Sequence, residues 1–581
     1  LNTQLLSNFT NTSFLVLSNL ADDPSYFALQ VARKFKNRVP VKVLDKVLSL
    51  GKHNGVAAAF SAMIRDDSIQ LQTTCRLWLD ESSSRRGAVF LANLCIASGE
   101  WDTASGLLDQ TKSSSNAVRA RARLQWGLGN MSEAIALLEE IPRSRQKRHY
   151  VSEYQVYSGA EPKLPQTRIS NLRGAGPESV VFLATNSLPH TGSGYAQRTQ
   201  STLSALVAEG WKANACTRLN YPLNIGAFQT KSSDHVGPVE YERLIPTRAK
   251  YDLSGRIQQQ AEELLAKVVR DRPQILHTTT DFSNALAVKA VSESTGIPWV
   301  YEVRGQLADT WLSTRPESAE NSERYKLFRE REAYVAKSAD HVITLGDQMK
   351  ENLTSVGVAA DKIEILPNGI GDEFLNEPVD RSTARHELAL DIQAFYVGTV
   401  SSLVPYEGLD TVLRAVARLQ PENKNLRVLI VGDGTDKENL IRLAAELGIS
   451  KYCEFTGRVP REKAHLYHAA LNLFVVPRKD SAVTRAVTPL KPVEALASRV
   501  PVLASDLPAL GELIEDGVTG YLVDSSDVDQ WASSIDRLMK DPEKLLVMGD
   551  SGRELVLNTR TWSQNAKKLD CVYRLVINKP L

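Results

Sequence analysis

Apolar and polar positions follow two different rhythms along this chain. Residues 1 to about 160 show no strand-like alternation and read as all-helical. From about 179 onward, short apolar runs alternate with longer helical stretches, the pattern of strands buried on both faces and the helices that cover them. The first such series places strands over 180–183, 274–277, 299–303, 341–345 and 363–366, with helices between them, among them 195–209 and 322–337. Asn368-Gly369-Ile370-Gly371 breaks the series. A second one places strands over 395–397, 427–431, 453–455, 473–476, 500–504 and 520–523. A last helix, around 562–575, is expected to cross back onto the first sheet. The fold class is therefore α/β: two doubly wound, Rossmann-like domains facing a cleft, preceded by an all-α region. The expected limits are 1–160 for the helical region, 161–177 for a polar linker, 178–385 for the first α/β domain with the helix 560–581 completing it, and 386–559 for the second.

The helical region repeats. Gly99 aligns with Gly129, Ala104 with Ala134, and Leu107-Leu108 with Leu137-Leu138, an offset of 30 residues. Gly51 with Ala57-Ala58-Ala59 reads as a degenerate earlier copy. A period near 30 with glycine between helices is similar to tetratricopeptide-like solenoids; a helical cap with fortuitous similarity is the alternative. Such a module binds a protein partner, self-associates or extends an enzyme's surface, and supplies no chemistry of its own.

Composition narrows the function classes. The net charge is +1 over 581 residues, so nucleic acid and anionic membranes have no global electrostatic basis for binding. The cysteines, Cys75, Cys95, Cys216, Cys453 and Cys571, are scattered without metal-ligand spacing, which points to a reducing, cytoplasmic compartment. No apolar run approaches the roughly 20 residues a membrane span needs; at most, peripheral contact with the inner face through a lipid-linked substrate is expected. Leu1 opens the sequence without a signal pattern, which reads as a trimmed chain.

The stretch from 473 to 506 carries the densest candidate chemistry. An apolar run, Leu473-Phe474-Val475-Val476, ends at Pro477, and a basic loop with Arg478, Lys479 and Arg485 follows. Lys491-Pro492-Val493-Glu494 then opens a helix, with proline tolerated in its first turn. Free backbone N–H groups and four cations would make a diphosphate site there, with Glu494 one turn inside to accept hydrogen bonds from sugar hydroxyls. Elsewhere, Gly192 and Gly194 allow close backbone approach at the start of a helix, but Gln197 stands where a dinucleotide fingerprint needs its third glycine. His277 and Arg304 lie at strand ends, where α/β enzymes place site residues. Gly398, Gly432, Gly434 and Gly457 follow strands of the second sheet and would open backbone groups to a nucleotide. A nucleophile elbow, a P-loop and a convincing Asp-x-Asp metal signature are all missing from the sequence.

Taken in order, Gly192-Ser193-Gly194-Tyr195, Tyr301-Glu302-Val303-Arg304-Gly305, Leu366-Pro367-Asn368-Gly369-Ile370, Tyr406-Glu407-Gly408-Leu409-Asp410, Val431-Gly432-Asp433-Gly434 and Thr488-Pro489-Leu490-Lys491-Pro492-Val493-Glu494-Ala495 resemble the retaining glycosyltransferases of family 4, which have the GT-B fold. The resemblance covers about 178–575 and leaves out the helical region. It implies a nucleoside diphosphate sugar bound mainly by the second sheet, with no metal and no cofactor. Glu494 would hold the ribose, the main chain at Leu490 and Lys491 the diphosphate, and Gly457 and Arg458 would border the base. Gly194, Arg478, Lys479 and Arg485 would join the diphosphate site, and Gly192 to Tyr195 would form the acceptor and donor-sugar loop. Arg304, His277, Arg485 and Lys491 are the catalytic candidates.

Three departures stand out. The family's first motif glutamate falls on Ala486, its phosphate-loop Arg and Lys fall on Ser402 and Glu407, and its active-site histidine is not plainly present. The expected function is hexosyl or N-acetylhexosaminyl transfer from a uridine diphosphate sugar, or from GDP-mannose, to a glycan, lipid-linked or protein acceptor of bacterial cell-surface synthesis. A degenerate, non-catalytic scaffold and a sugar-nucleotide epimerase are the competing readings.

Overall fold

The computed structural model describes residues 55–65, 67–81, 87–167 and 178–578, with Asn8, Tyr26 and Leu29 besides. Gly51, most of the sequence before it, which the pattern reads as helical, and positions 168–177 of the expected linker lie outside the described residues, as do 579–581.

The first sheet comprises β1 (Ser179–Ala184), β2 (Lys212–Thr217), β3 (Ser233–Val236), β4 (Val239–Arg243), β5 (Ile275–Thr279), β6 (Trp299–Glu302), β7 (His341–Thr344) and β8 (Ile363–Ile365). Its order is β3-β4-β2-β1-β5-β6-β7-β8. Every pairing is parallel except β3 with β4. The sequence pattern missed β2, β3 and β4. β2 reads Lys-Ala-Asn-Ala-Cys-Thr, with no large apolar side chain, and β3 is an edge strand with no fully buried residue.

The second sheet comprises β9 (Phe395–Val400), β10 (Leu426–Val431), β11 (Cys453–Gly457), β12 (Leu473–Val476), β13 (Val502–Ser505) and β14 (Gly520–Val523), in the order β11-β10-β9-β12-β13-β14. In both sheets the order reverses beside the first strand, at β1/β5 and at β9/β12. Loops leaving the two strands diverge there and open a crevice at their carboxyl ends.

The helix Trp562–Ile577, started by a capping box of Thr561 and Gln564, returns to the first sheet. Its Leu569, Val572, Tyr573 and Val576 pack in one cluster with Val180, Phe182 and Val300. The two passages of the chain between the sheets run side by side, with Ile370 N–H donating to Arg560 O at 3.0 Å.

Gly99 and Gly129 adopt left-handed φ values of 84° and 94° and end the helices Ala88–Ser98 and Ser115–Leu128. The helices Trp101–Asp109 and Met131–Leu137 follow them, giving two helix–glycine–helix hairpins. The helical region does not stand apart from the first domain. Trp126 stacks on Tyr150 at 3.9 Å, and Tyr157 meets Phe282 and Phe328 edge-on, inside a cluster that also holds Val181 and Leu276. Arg324 donates to Glu153 at 2.9 Å and Ser132 to Glu323 at 2.6 Å across the same boundary. Among the described residues no helix is long and apolar enough to cross a membrane.

Candidate functional site

The crevice of the second sheet is built by loops that touch through their backbones. Gly408, at φ 69°, lies so close to Pro477 O that a Cβ has no room there, and Lys479 N–H donates to Tyr406 O at 3.0 Å. This contact seats the turn Pro405–Glu407 over the exit of β12. Glu407 is consequently 5% exposed and accepts from Lys491 Nζ at 2.8 Å and from Arg478 at 3.2 and 3.4 Å. Burial pushes its carboxyl up, but Lys491 and Arg478 outweigh that and hold it at about 2. The position where the family resemblance calls for a cation thus holds an acid that gathers two cations from the facing loop.

The expected cradle of four cations is not assembled. Arg478 is buried and donates through NH1 to Val487 O at 2.9 Å. Lys479 turns away to Asp410, 3.1 Å distant. Arg485 is exposed and bonded in two places to Asp480, at 2.5 and 2.6 Å. In each case a nearby carboxylate has already answered the charge. Lys491, itself bonded to Glu407, stands at the start of the helix Lys491–Ala497, for which Leu490 is the N-cap. One turn on, Glu494 is buried, 3.2 Å from Arg461 and 3.6 Å from His468 Nε2. Burial pushes Glu494 up; His468 and Arg461 overcome it and hold the group below its ordinary range.

The strand-exit glycines serve loop packing first. Gly432 and Gly434 lie against Ser401 O and Leu403 O with no room for a side chain. Gly457, at φ 74°, ends β11 and accepts from Gly432 N–H at 3.0 Å, while Arg458 beside it is exposed.

In the first domain, Gly192, Ser193, Gly194 and Tyr195 are exposed, and Ser193 caps the helix Gly194–Ala208. His277 and Arg304 do not reach the cleft surface; both are 0% exposed. Arg304 donates to Glu302 at 2.5 Å, to Tyr195 O at 2.7 Å and to Thr199 at 2.8 Å. His277 bonds Tyr573 OH through Nδ1 at 2.5 Å, and burial lowers it to about 3, so it stays neutral. Groups locked in this way have no access to a reacting atom, which removes them as catalytic candidates; Arg304 belongs to a buried ion cluster with Glu302, and neutral His277 packs beside it. Arg198 extends that cluster, reaching Glu302 at 2.7 Å and Asn368 Oδ1 at 3.1 Å. Asn368 Nδ2 then donates to Thr488 O at 3.0 Å, two residues before Leu490. A continuous path of bonds therefore joins the core of the first domain to the loop that carries Lys491 and Glu494.

Two further features escaped the sequence. A small pocket under Gly305 is lined by Tyr301, Gln306, Arg329 and Glu332, and burial pushes Glu332 up to about 8. His190, inside the glycine loop, lies 3.0 Å from Asp234 of β3. The only local signal was a histidine two residues before Gly192, and its partner sits on a strand the periodicity did not show.

The family model described as glycosyl transferases group 1 matches residues 380–555, and that described as a glycosyl transferase 4-like domain matches 193–369. A GDP-mannose-dependent alpha-(1-6)-phosphatidylinositol monomannoside mannosyltransferase of Mycolicibacterium smegmatis is 30% identical over 238 residues, which span 40% of this chain and 62% of the relative. A D-inositol 3-phosphate glycosyltransferase of Nocardia farcinica is 32% identical over 222 residues, spanning 37% of this chain and 48% of the relative. The chain thus covers less than two thirds of the length of these curated relatives. Among solved structures, a sucrose-phosphate synthase from Thermosynechococcus elongatus superposes with a TM-score of 0.57 at 20% identity, covering 69% of this chain and 99% of that one. Anabaena HepE in complex with UDP gives 0.55 at 18%, covering 68% and 100%. Two facing parallel sheets, the crevice at their switch points and the two matched spans lead to one assignment: the chain belongs to the family 4, group 1 glycosyltransferases and has their GT-B fold.

Proposed function

We propose that this chain transfers a hexosyl or N-acetylhexosaminyl group from a nucleoside diphosphate sugar, with retention and without a metal, to a glycan or lipid-linked acceptor. The observation that carries the reading is Glu494. It is a buried carboxylate kept ionised by Arg461 and His468, one turn behind Lys491, at the edge of the second sheet where the strand order reverses. Such a group is placed to accept hydrogen bonds from ribose hydroxyls while the main chain at Leu490 and Lys491 meets the diphosphate. Lys491 and the exposed backbone of Gly194 would stabilise the negative charge that grows on the leaving diphosphate. No protein nucleophile is invoked; the acceptor enters on the face the diphosphate leaves, and alignment of the two domains supplies most of the rate. Because a relative 30% identical is named as GDP-mannose-dependent, GDP-mannose is the first donor to test and a uridine diphosphate sugar the second.

A second reading, a nucleotide-binding scaffold without transfer, draws support from the carboxylates that occupy Arg478, Lys479 and Arg485. A thermal-shift series with GDP, UDP and their sugars separates the possibilities. Ligand at a hundredfold excess over its Kd should stabilise the native chain by about 2.7 kcal/mol. Glu494→Ala should lose that shift, and all transfer, while its circular dichroism spectrum stays that of the parent. Normal turnover in that variant would sink the assignment; a shift without transfer would select the scaffold.

A further inference from the structure

We propose that Arg218 and Arg256 form a second binding site, on the first domain, for a phosphate monoester carried by a small soluble molecule or by a lipid. The site lies on the other domain from Lys491 and Glu494, and its test does not depend on the transferase reading above.

Other arginines of this domain that are withdrawn from solvent meet a carboxylate. Arg198 and Arg304 share Glu302, Arg243 holds Asp234 at 2.7 Å, and Arg324 holds Glu153 at 2.9 Å. Arg218 and Arg256 are half-buried, yet among the described residues neither guanidinium has a hydrogen bond or an ion pair, and Nε of Arg218 is shut off from solvent. Burial pushes Arg256 down more than Glu153 and Asp252 push it up, and the neighbouring charge of Arg218 lowers it further. Both carboxylates are already engaged. Glu153 accepts from Arg324, and Asp252 Oδ1 accepts from Ser152 Oγ at 3.1 Å and from Gly255 N–H at 2.8 Å. An arginine cannot escape the cost of burial by losing its proton, so two such groups side by side call for an anion.

The fold holds the pair in place. Arg218 is the first residue beyond β2, and its N–H donates at 2.8 Å to Ala184 O, at the end of β1. It therefore stands at the carboxyl edge of the sheet, where open α/β folds take ligands. Beside it, Leu219 N–H donates at 3.0 Å to Gln260 Oε1 of the helix Leu253–Asp271. Gln260 follows Arg256 by four residues and shares its helical face; its Nε2 is fixed on Asn284 Oδ1 at 2.9 Å. The helical region holds the first turn of the same helix from the other side, with Ser254 N–H donating to Ser152 Oγ at 2.9 Å.

A phosphate monoester carries about two negative charges at neutral pH, one for each arginine, and the planar guanidinium fork matches its oxygens in pairs. Arg148 and Arg145, one and two turns before Ser152 in the helix Arg145–Tyr157, are exposed, as is Lys250. These three cations form a positive rim that favours an anion over a neutral ligand.

The test is isothermal titration of the full chain with inorganic phosphate and with glucose 6-phosphate, at low salt and with GDP and UDP present to occupy the crevice. Glucose is the uncharged control. Arg218→Gln and Arg256→Gln should each weaken phosphate binding about tenfold or more, and together abolish it, while the Kd for nucleotide stays within about twofold. Without phosphate, both variants should unfold at the parent midpoint or above it, because each loses a half-buried charge that had no partner. Cosedimentation with vesicles of phosphatidylcholine, alone or in equal parts with phosphatidic acid, identifies the source. Arginine-dependent capture by the acidic vesicles assigns the site to a lipid; titration by glucose 6-phosphate without such capture assigns it to a soluble ligand. Absence of binding in both arms, or binding unchanged in the double variant, overturns the proposal. A lower unfolding midpoint of the phosphate-free variants also overturns it, because the arginines then serve the fold. A parent chain that binds phosphate through these arginines but no nucleotide supports the site and counts against the transferase reading alone.

Discussion

Replacing Glu407 by glutamine tests the feature that separates this crevice from the one the resemblance implies. The substitution keeps shape and removes charge, so it imitates the protonated acid. In the folded chain Lys491 and Arg478 hold the carboxyl at about 2, against roughly 4.3 for an unperturbed glutamate. At about 1.4 kcal/mol per pH unit, this corresponds to about 3 kcal/mol of stability from ionisation. The folded-state value lies below the unfolded one. The contribution is therefore complete above about pH 4.5 and is lost as pH falls towards 2. Lys491, already pushed down by burial, would lose the carboxylate it is bonded to. Urea unfolding followed by tryptophan fluorescence should show Glu407→Gln less stable by about 3 kcal/mol at pH 7 and at pH 5.5. Below about pH 4.5 the gap should narrow by about 1.4 kcal/mol per pH unit. Equal stability at pH 7, or a gap as wide at pH 3.5 as at pH 7, would refute the reasoning. The first result would mean the pair is compensated by solvent, and the second that the loss is one of packing.

Two further substitutions probe the path between the domains. Glu302→Leu strands Arg198 and Arg304 without their carboxylate and should cost about 3–5 kcal/mol, read as a lower unfolding midpoint for the first domain; parental stability would contradict the ion cluster. Asn368→Ala cuts the bonds to Arg198 and Thr488. Amide exchange over 487–491 should quicken and transfer should slow about tenfold, with nucleotide affinity unchanged within about twofold; unaltered exchange would show that the path carries no coupling.

The parts of this fold that were legible are those written in local pattern. Buried parallel strands such as β1, β10 and β12 read as unbroken apolar runs, and the helix start at Lys491 was marked by Pro492. β2 and the β3–β4 hairpin carry weak patterns because they lie towards an edge, and they stayed hidden. At the site, residue type suggested chemistry but not partners. Glu407 and Lys491 are 84 positions apart, and the contacts of Gly408 with Pro477 O and of Tyr406 O with Lys479 N–H bring their loops together. The same kind of long-range partner decides the fate of His277, whose ring is taken up by Tyr573 from 296 positions away. Strand-end position alone could not tell a buried ion cluster from a cleft surface.

That last contact bears on how the chain is made. The first sheet needs the helix Trp562–Ile577 to cover Val180 and Phe182, yet the whole second domain is synthesised before that helix emerges. On the ribosome, where domains ordinarily fold in the order they appear, the second domain has all its strands available first, and the earlier one must wait with an apolar face uncovered. Slowed or interrupted translation after residue 560 would leave a folded second domain tethered to an open, adhesive first domain. Truncations intended to isolate the first domain at 385 should be rescued by supplying the 560–577 segment in trans.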